Sequence, residues 1–588
     1  MKDFFGLRKI WSFVRPYKRL VIWMVILGAF VSFVDTIFPL FNRYALNHFI
    51  GEQTLDTLPF FVAGYVAVII VQGIANYVNV YYCGKVEMGI DRDLRNAAFA
   101  HLQELSFSYF NQNNVGYIHA RVMSDTGKIG ELVAWDLMNI VWYGSYMLFA
   151  IIMMLAINTR LALFVMIVIP VAVIIISIFE KRLIALNRAA REMNSVITAD
   201  FNEGITGARS IKTLVIEDGM TEDFEKDTEK MRHLSVRTGS LSALFAASVT
   251  FLSSAALAIV LWKGGMMTMD GIILLGTLSV FMTYALGLIE PVQNIISTIS
   301  VLIGVQVNIE RFTNLMNTEP DVLDSAEVKA KYGDAFNPKR ENWEKLHGDV
   351  EFRNVSFKYP DGQEMVLENF NLQVPQGSSI AIVGETGAGK STLVNLVCRF
   401  FEPTDGQVLI DGRDVRERSQ LWLHSNIGYV LQSPHLFSGS VRDNLRYGKP
   451  DATDDEIWDA LRLVSADYVI EKMGNGLDSD VGEGGDMLST GEKQLLSFAR
   501  ALIADPAILV LDEATSSIDT VTERLIQDAI ATVIKGRTSF VIAHRLSTIV
   551  DSDRILVVRD GKIIEQGTHD ELMTMRGYYH SLYMQQLF

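Results

Sequence analysis

Long charge-free runs of apolar residues dominate the first 310 residues of the chain. Four runs without a charge cover residues 57–84, 137–159, 161–179 and 238–262. Two further runs, 20–41 and 271–309, each contain an acidic residue, Asp35 in the first and Glu290 in the second. Because a spanning helix needs about 20 predominantly apolar residues, the pattern predicts six transmembrane helices.

The first run is expected to stay in the protein as a membrane anchor. It is too long for a removable signal peptide and lacks a small-residue cleavage pattern. The segment before it contains one acid, Asp3, and six basic residues, Lys2, Arg8, Lys9, Arg15, Lys18 and Arg19. Positive residues beside a first span tend to remain in the cytoplasm. We therefore predict that both termini are cytoplasmic, in the plasma membrane of a bacterium.

The connections between the runs differ in length. Residues 158–160 are nearly all that separates the third run from the fourth, whereas 85–136 and 180–237 are long and keep a helical periodicity. We expect the long connections to be helices that extend into the cytoplasm at about 1.5 Å per residue. Asn and Gly residues within 111–116 and 204–207 predict two tips, where short helices would dock on a cytoplasmic domain.

The pattern changes near residue 310. Residues 311–348 are polar and charged and are predicted to form a linker after a membrane domain that covers 1–310. Short apolar runs at 380–383, 427–431, 508–511 and 540–543 then alternate with amphipathic helical segments. This alternation is typical of an α/β domain, which is predicted over 349–588.

Composition narrows the functional classes. The chain is 49% hydrophobic and 20% charged, which fits a membrane protein better than a soluble enzyme. Its two cysteines, Cys83 and Cys398, lie far apart and lack the spacing that zinc or thiol redox chemistry needs. The formal net charge of −16 argues against a nucleic-acid partner, because nucleic-acid binders carry basic surfaces.

A complete phosphate-loop motif follows the run 380–383. Its residues are Gly384, Glu385, Thr386, Gly387, Ala388, Gly389, Lys390, Ser391 and Thr392. The glycines let backbone N–H groups surround an anion, and the following helix N-terminus adds a partial positive charge. Lys390 would contact the β- and γ-phosphates, and Ser391 would hold Mg²⁺. The alternative, an accidental glycine-rich turn before a helix, fits the full motif poorly.

Two acids, Asp512 and Glu513, follow the apolar run 508–511. An acid at the end of a buried strand is costly unless it is used. Asp512 is placed to bind Mg²⁺ through water, and Glu513 to orient or deprotonate an attacking water. The alternative is a pair of helix-capping acids.

Weaker signals occur at three other positions. Gln432 and His544 each follow a predicted strand, and Tyr359 follows Phe357 and Lys358. Taken alone, each of the three is at least as often structural as functional.

Together with the phosphate loop, these residues make the chain resemble the ATP-binding cassette (ABC) transporter superfamily. The resemblance implies that Tyr359 stacks on adenine, that Gln432 reaches Mg²⁺, and that His544 contacts the γ-phosphate. It also implies that Glu513 is the catalytic base and that Asp519 lies in the loop that crosses to a partner. Six spans fused to one cassette resemble an exporter half-transporter, which uses ATP and Mg²⁺ and needs a second half-transporter.

The chain departs from the family pattern at the signature segment 488–492. Ser489 and Gly491 are retained for nucleotide contact, but Thr490 and Glu492 replace a glycine and a glutamine. Ser489 and Glu492 also fit a capping box, which would add negative charge near an anion site. One interpretation is a homodimer with two equal ATP sites. The other, which we favour, is one member of a heterodimeric exporter.

The substrate is less well defined. Asp35, Arg43 and Glu290 are ionisable groups at or near membrane depth, where such groups are often functional, although an Asp35–Arg43 contact would also explain two of them. Abundant aromatic and methionine residues favour a hydrophobic small molecule or a lipid as substrate. An ATP-gated channel or regulator, an anchored ATPase and an importer are the less favoured alternatives.

Overall fold

The computed structural model describes residues 6–512, 520–543 and 546–587. The chain forms two compact units. A helical unit comprises Met1–Gln103 and Val115–Thr318, and an α/β unit comprises Glu104–Asn114 and Glu319–Phe588.

Within the described residues, six helical segments are long and apolar enough to cross a membrane, which confirms the predicted number. They are Trp11–Gly51, Leu58–Glu104, Val115–Ile157, Thr159–Thr206, Glu217–Met269 and Leu275–Met316. The sixth segment is interrupted at Leu288, between helices Leu275–Gly287 and Ile289–Met316. This break lies beside Glu290 and Pro291, as a proline in the first turn of a new helix permits.

Short helices occur at both predicted tips. The first tip, Phe107–Gln112, follows the second segment, and the second tip, Ala208–Leu214, follows the fourth. The first tip belongs to the α/β unit, whereas the second tip belongs to the helical unit.

Two polar side chains inside the helical unit, Asp35 and Tyr284, find hydrogen-bond partners there, as burial favours. Asp35 accepts a hydrogen bond from the Gln72 amide at 2.5 Å, so its partner is not the Arg43 side chain considered from the sequence. The fully buried Tyr284 donates its hydroxyl to the Thr36 carbonyl oxygen at 2.5 Å.

The described part of the α/β unit contains ten strands. They are β1 (Val350–Phe357), β2 (Leu367–Val374), β3 (Ser379–Val383), β4 (Asp405–Ile410), β5 (Arg413–Asp414), β6 (Ile427–Val430), β7 (Ile508–Asp512), β8 (Thr538–Ile542), β9 (Arg554–Arg559) and β10 (Lys562–Gly567). The predicted strands correspond to β3, β6, β7 and β8, with ends shifted by one or two residues.

The strands form two sheets. One sheet has the order β2-β1-β4-β5 and is antiparallel, and the other has the order β10-β9-β3-β8-β7-β6. In the second sheet β9, β3, β8, β7 and β6 are parallel, and β10 is antiparallel to β9. The side chains of β3 alternate between two hydrophobic cores. Ile380 and Ile382 pack in the core on one face of the sheet, and Ala381 and Val383 pack in the core on the other face. Because both faces of this parallel sheet are buried, its strands are continuous apolar runs in the sequence.

Helices surround this sheet. Their bounds are Ala326–Tyr332, Lys390–Val397, Gln420–His424, Val441–Arg446, Asp454–Leu463, Asp467–Lys472, Thr490–Ile503, Thr520–Ile534, His569–Met575 and Tyr578–Leu587. We call Lys390–Val397 the phosphate-loop helix and Thr490–Ile503 the signature helix.

A buried guanidinium fixes the C-terminal end of the phosphate-loop helix. Arg399 is 1% exposed and donates to Asp324 at 2.7 Å and to Glu402 at 2.9 Å. It also donates to the Arg418 carbonyl oxygen at 2.8 Å. Because Asp324 lies in the segment that enters the α/β unit, Arg399 ties that segment to the phosphate-loop helix.

The first tip packs next to the same point. The Phe107 ring stacks on Phe400 with ring centroids 5.3 Å apart. The Ser106 hydroxyl accepts a hydrogen bond from the Val322 N–H at 2.9 Å, and Ser108 donates to Asp321. The first tip and the entering segment therefore both rest on the end of the phosphate-loop helix.

Candidate nucleotide site

The strand order places several described residues of the predicted site at one edge of the parallel sheet. Neighbouring parallel strands end on the same side, so the residues after β3, β8, β7 and β6 emerge together. Of the described residues, these positions carry the phosphate loop, Asp512 and Gln432. Asp512 is registered beside Ile542 in the β7–β8 pair. Glu513, Asp519 and His544 themselves lie outside the described residues.

The phosphate loop has the backbone geometry that its glycines predict. Gly384 has φ +155°, and a Cβ there would lie 2.1 Å from the Val558 carbonyl oxygen. Gly389 has φ +98° and precedes the phosphate-loop helix without a side-chain cap. The N–H groups of the first helical turn are therefore not used by a capping side chain. Glu385, Thr386 and Gly387 form the exposed crest of the loop.

Lys390 lies under this crest. It is 9% exposed, and its ammonium donates to the carbonyl oxygens of Gly384 at 2.7 Å and Glu385 at 2.8 Å. Burial lowers the pKa of Lys390, and the nearby Asp512 carboxylate opposes this effect. A phosphate oxygen is a stronger partner for an ammonium group than a neutral carbonyl oxygen is. The phosphate loop and the Lys390 ammonium beneath it therefore fit a phosphate group.

Tyr359 is anchored beside the phosphate-loop helix. Its ring packs edge-on against Phe357 and Phe401, with centroids 4.9 and 5.1 Å apart. Its hydroxyl is 3.0 Å from the Thr392 hydroxyl. The residue remains half-buried, so the ring is held in place without being enclosed.

The structure brings most of the remaining predicted ligands to the same edge. Ser391 is exposed on the first turn of the phosphate-loop helix, and Gln432 is exposed two residues beyond β6. Asp512 is half-buried at the end of β7. Ala388 is buried inside the loop, where its carbonyl oxygen accepts from the Gly561 N–H at 3.2 Å.

The signature helix begins with the predicted capping box. The Glu492 N–H donates to the Ser489 hydroxyl at 3.3 Å, and the Ser489 N–H donates to the Glu492 carboxylate at 2.8 Å. Glu492 is 8% exposed, and Lys472 approaches its second oxygen at 3.5 Å. Burial alone would raise the pKa of Glu492, but the bonds from Ser489 and the Lys472 charge outweigh it and lower the pKa. The carboxylate is therefore ionised at the helix N-terminus.

Sequence reasoning missed several contacts of the site. Lys472 is twenty residues from Glu492, and no local pattern joins them. Tyr578 donates its hydroxyl to Glu385 on the crest at 2.5 Å, across 193 residues. The position of Glu385 in the motif was visible, but only the fold could supply its partner.

A six-helix membrane unit and an α/β unit with a complete phosphate loop together define an ATP-dependent membrane transporter. Residues 21–292 match the family described as ABC transporter transmembrane region, and residues 367–516 match the family described as ABC transporter. The chain belongs to the ABC transporter family.

Relatives match over nearly the whole chain. The uncharacterized ABC transporter ATP-binding protein YfiC of Bacillus subtilis is 32% identical over 99% of this chain and 94% of its own length. The ATP-dependent lipid A-core flippase of Escherichia coli is 31% identical over 98% of this chain and 97% of its own length. The probable multidrug resistance ABC transporter YheH of B. subtilis is 36% identical over 84% of this chain and 72% of its own length.

These matches confirm the family, the fold and the broad activity expected from the sequence. The protein is a multi-pass membrane protein with a cytoplasmic ATPase domain, and it couples ATP hydrolysis to export. The relatives named here are bacterial, which agrees with the predicted origin.

Proposed function

We propose that this chain is a half-transporter that moves lipids or hydrophobic drugs across the plasma membrane as part of a dimer. Its relatives include proteins named as a lipid A-core flippase and as a probable multidrug transporter. The helical unit offers an apolar crevice of about 510 Å³ whose lining includes Ile37, Leu40, Phe41 and Phe61. Such a crevice suits an apolar chain or ring rather than a hydrated ion.

Each nucleotide-site residue has a proposed role. Tyr359 would stack on adenine, loop 384–392 would bind the phosphates, and Lys390 would neutralise the β- and γ-phosphate charge. Glu513 would activate the attacking water, and His544 would contact the γ-phosphate. Asp519 would lie in the loop that reaches the partner.

Ser391, Gln432 and Asp512 are the proposed Mg²⁺ ligands. They offer a hydroxyl, an amide and a carboxylate oxygen, the donor type that Mg²⁺ prefers. The described residues contain no group of three or more His, Cys, Asp or Glu side chains that could hold a metal alone. This fits Mg²⁺, which usually takes one or two protein ligands and completes its shell with water and substrate phosphates.

The second tip supports a dimer. Leu214 and Val215, at the end of this short helix, are 66% and 80% exposed, and Ile205 just before it is 64% exposed. Large apolar side chains grouped at a cytoplasmic tip favour a protein partner. We propose that the tip docks on the cassette of the opposite subunit.

Glu492 supports a heterodimer in particular. Its ionised carboxylate sits at a helix N-terminus, which would otherwise favour an anion. The negative charge would weaken the clamp that this signature helix provides for ATP bound to the partner. We therefore propose unequal ATP sites, with this chain supplying intact catalytic residues and the partner supplying a standard signature.

A homodimer is the second candidate, and one contact favours it. Lys472 lies 3.5 Å from Glu492 and offsets part of its charge. If this compensation is sufficient, two copies of the chain could form two equal ATP sites.

The test is to measure ATPase activity and molar mass of the chain purified alone in nanodiscs, with Glu513→Gln as the control. The heterodimer proposal predicts an inert or monomeric chain whose activity returns with a co-expressed second half-transporter. A dimer of the single chain with activity that Glu513→Gln abolishes would select the homodimer.

Substrate transport is tested in inside-out proteoliposomes with a fluorescent phospholipid and a hydrophobic dye. ATP-dependent accumulation that Glu513→Gln removes is expected. Ion conductance that persists with bound ATP would instead identify a channel.

A further inference from the structure

The inner ends of the first two membrane segments meet around a cavity of about 700 Å³. The first charge-free run begins at Leu20, directly after Lys18 and Arg19, and the second run ends at Gly84, directly before Lys85. Since the termini are on the cytoplasmic side, these two boundaries mark the inner membrane surface. The cavity lies at the level of the lipid headgroups.

One face of the second segment lines this cavity. Tyr81, Lys85, Met88 and Arg92 recur at helical spacing, so their side chains share a face. Leu20 and Tyr17 complete the lining from the first segment. The wall therefore has Leu20 and the Tyr81 ring above Lys85, and two cations and the Tyr17 phenol at and below it.

The two cations differ in their partners. Arg92 makes an ion pair with Asp93 at 2.8 Å, and Tyr17 donates its hydroxyl to the same carboxylate at 2.8 Å. Lys85 stands 4.7 Å over the Tyr81 ring, and in the described part of the chain no carboxylate lies within ion-pair distance of it. Lys85 thus supplies a positive charge that the protein itself does not neutralise.

Two glycines show that the cavity is rigid on one side and open on the other. A Cβ at Gly89 would lie 2.5 Å from the Tyr17 ring, so close helix packing fixes Tyr17. A Cβ at Gly84 would meet no atom within 4 Å. Gly84 therefore leaves open space next to Lys85, where an acyl chain can lie.

We propose that this cavity binds an anionic glycerophospholipid from the inner leaflet. The phosphodiester contacts the Lys85 ammonium, Tyr17 and Arg92 border the headgroup, and an acyl chain runs past Gly84 and Leu20. Lys18 and Arg19, both exposed at the same level, add attraction for the anionic membrane surface. This site is separate from the ATP site and does not depend on the proposed dimer.

The experiment is native mass spectrometry of the full-length chain titrated with phosphatidylglycerol, comparing the parent with Lys85→Gln. Lys263→Gln is the matched control, because the Lys263 ammonium also stands over an aromatic ring, 4.2 Å from that of Trp262. We expect Lys85→Gln to weaken phosphatidylglycerol binding about fivefold, whereas Lys263→Gln binds as the parent does. Phosphatidylcholine should bind more weakly than phosphatidylglycerol.

A second pair of variants tests the cavity by shape. Gly84→Phe should block binding without changing charge, and Gly73→Phe, on the same helix with equal free space, should not. The proposal is overturned if Lys85→Gln binds as tightly as the parent, or if both lysine variants lose affinity equally. Displacement of phosphatidylglycerol by an equal concentration of glycerol 3-phosphate would also overturn it, because a soluble phosphate would then be the ligand.

Discussion

Two helices of the α/β unit begin in opposite ways. The phosphate-loop helix starts after Gly389, which offers no side-chain cap, so its first N–H groups are available to an anion. The signature helix starts with a reciprocal capping box between Ser489 and Glu492, whose carboxylate takes one of the free N–H groups there. The N-terminus of the phosphate-loop helix can therefore accept an anion, whereas the N-terminus of the signature helix already has the Glu492 carboxylate beside it.

The helices are also fixed at opposite ends. The buried Arg399 and its half-buried acceptors hold the C-terminal end of the phosphate-loop helix, while Ser489 and Glu492 hold the N-terminal end of the signature helix. A helix that must present bare N–H groups to a ligand cannot use them for its own stability. The comparison shows that phosphate binding and helix capping compete for the same donors, and that this chain resolves the competition differently at its two helices.

The largest effect, on ATP hydrolysis, is expected at the N-terminus of the phosphate-loop helix, which has no side-chain cap. Lys390→Ala removes the only positive side-chain charge of the phosphate-loop motif, so ATP hydrolysis should fall by about 100-fold or more. ATPase rate and ATP binding are the measurements. Lys449→Ala, at a half-buried lysine that pairs with Glu456 at 2.6 Å, is the control and should stay near the parent rate. Equal losses in both variants would contradict a specific role for Lys390.

The next largest effect, on thermal stability, is expected at the C-terminal end of the phosphate-loop helix. Arg399→Leu leaves the half-buried carboxylates of Asp324 and Glu402 without their buried partner, which costs about 1–3 kcal/mol. Thermal unfolding of the full-length protein should therefore begin at a lower temperature. Arg462→Leu breaks an exposed pair with Asp459 and a long contact with the Trp458 ring at 6.0 Å, and should change stability by no more than about 0.5 kcal/mol. A parent-like transition for Arg399→Leu would refute the anchoring role.

At the signature helix the effect on stability is smaller. Ser489→Ala removes the cap acceptor for the Glu492 N–H, which costs about 1 kcal/mol. Denaturant unfolding of the full-length chain measures it. Ser425→Ala, at a serine that donates to the Trp422 carbonyl oxygen but caps no helix start, is the comparison. The cap is unimportant if both serine variants have the same stability.

The smallest expected effect is on how the folding stability of the protein changes with pH. The pKa of Glu492 is lowered from its ordinary value of 4.5, so its stabilising contribution is present above pH 4.5 and is lost as the pH falls through the lowered pKa. Glu492→Gln should therefore lose less stability than the parent between neutral pH and pH 3. Unfolding curves at both pH values test this, and parallel losses would disagree with it.

Local patterns predicted the features that lie within one stretch of chain. The phosphate loop, the capping box and the strands β3, β6, β7 and β8 each depend on residues a few positions apart. The antiparallel sheet was not predicted, because bulges in β1 interrupt its alternation of buried and exposed residues. The apolar runs of the buried parallel strands have no such interruption.

Contacts between distant residues could not be predicted. Arg399 is a charged residue and would be assigned to the surface, but Asp324, 75 positions away, allows it to be buried. Lys472 and Tyr578 reach the site for the same reason, since the fold places them there. The sequence therefore predicted the nucleotide-binding groups but not the residues that contact and fix them.

The most direct test of the unequal helix N-termini is ATP affinity of the assembled exporter, measured in a Glu513→Gln background with and without Glu492→Gln. Glutamine keeps the capping geometry and removes the charge. We predict that Glu492→Gln tightens ATP binding at the site served by this signature helix about fivefold, as expected for about 1 kcal/mol of helix-terminus electrostatics. Unchanged or weaker ATP binding would contradict the proposal that Glu492 closes this N-terminus to phosphate.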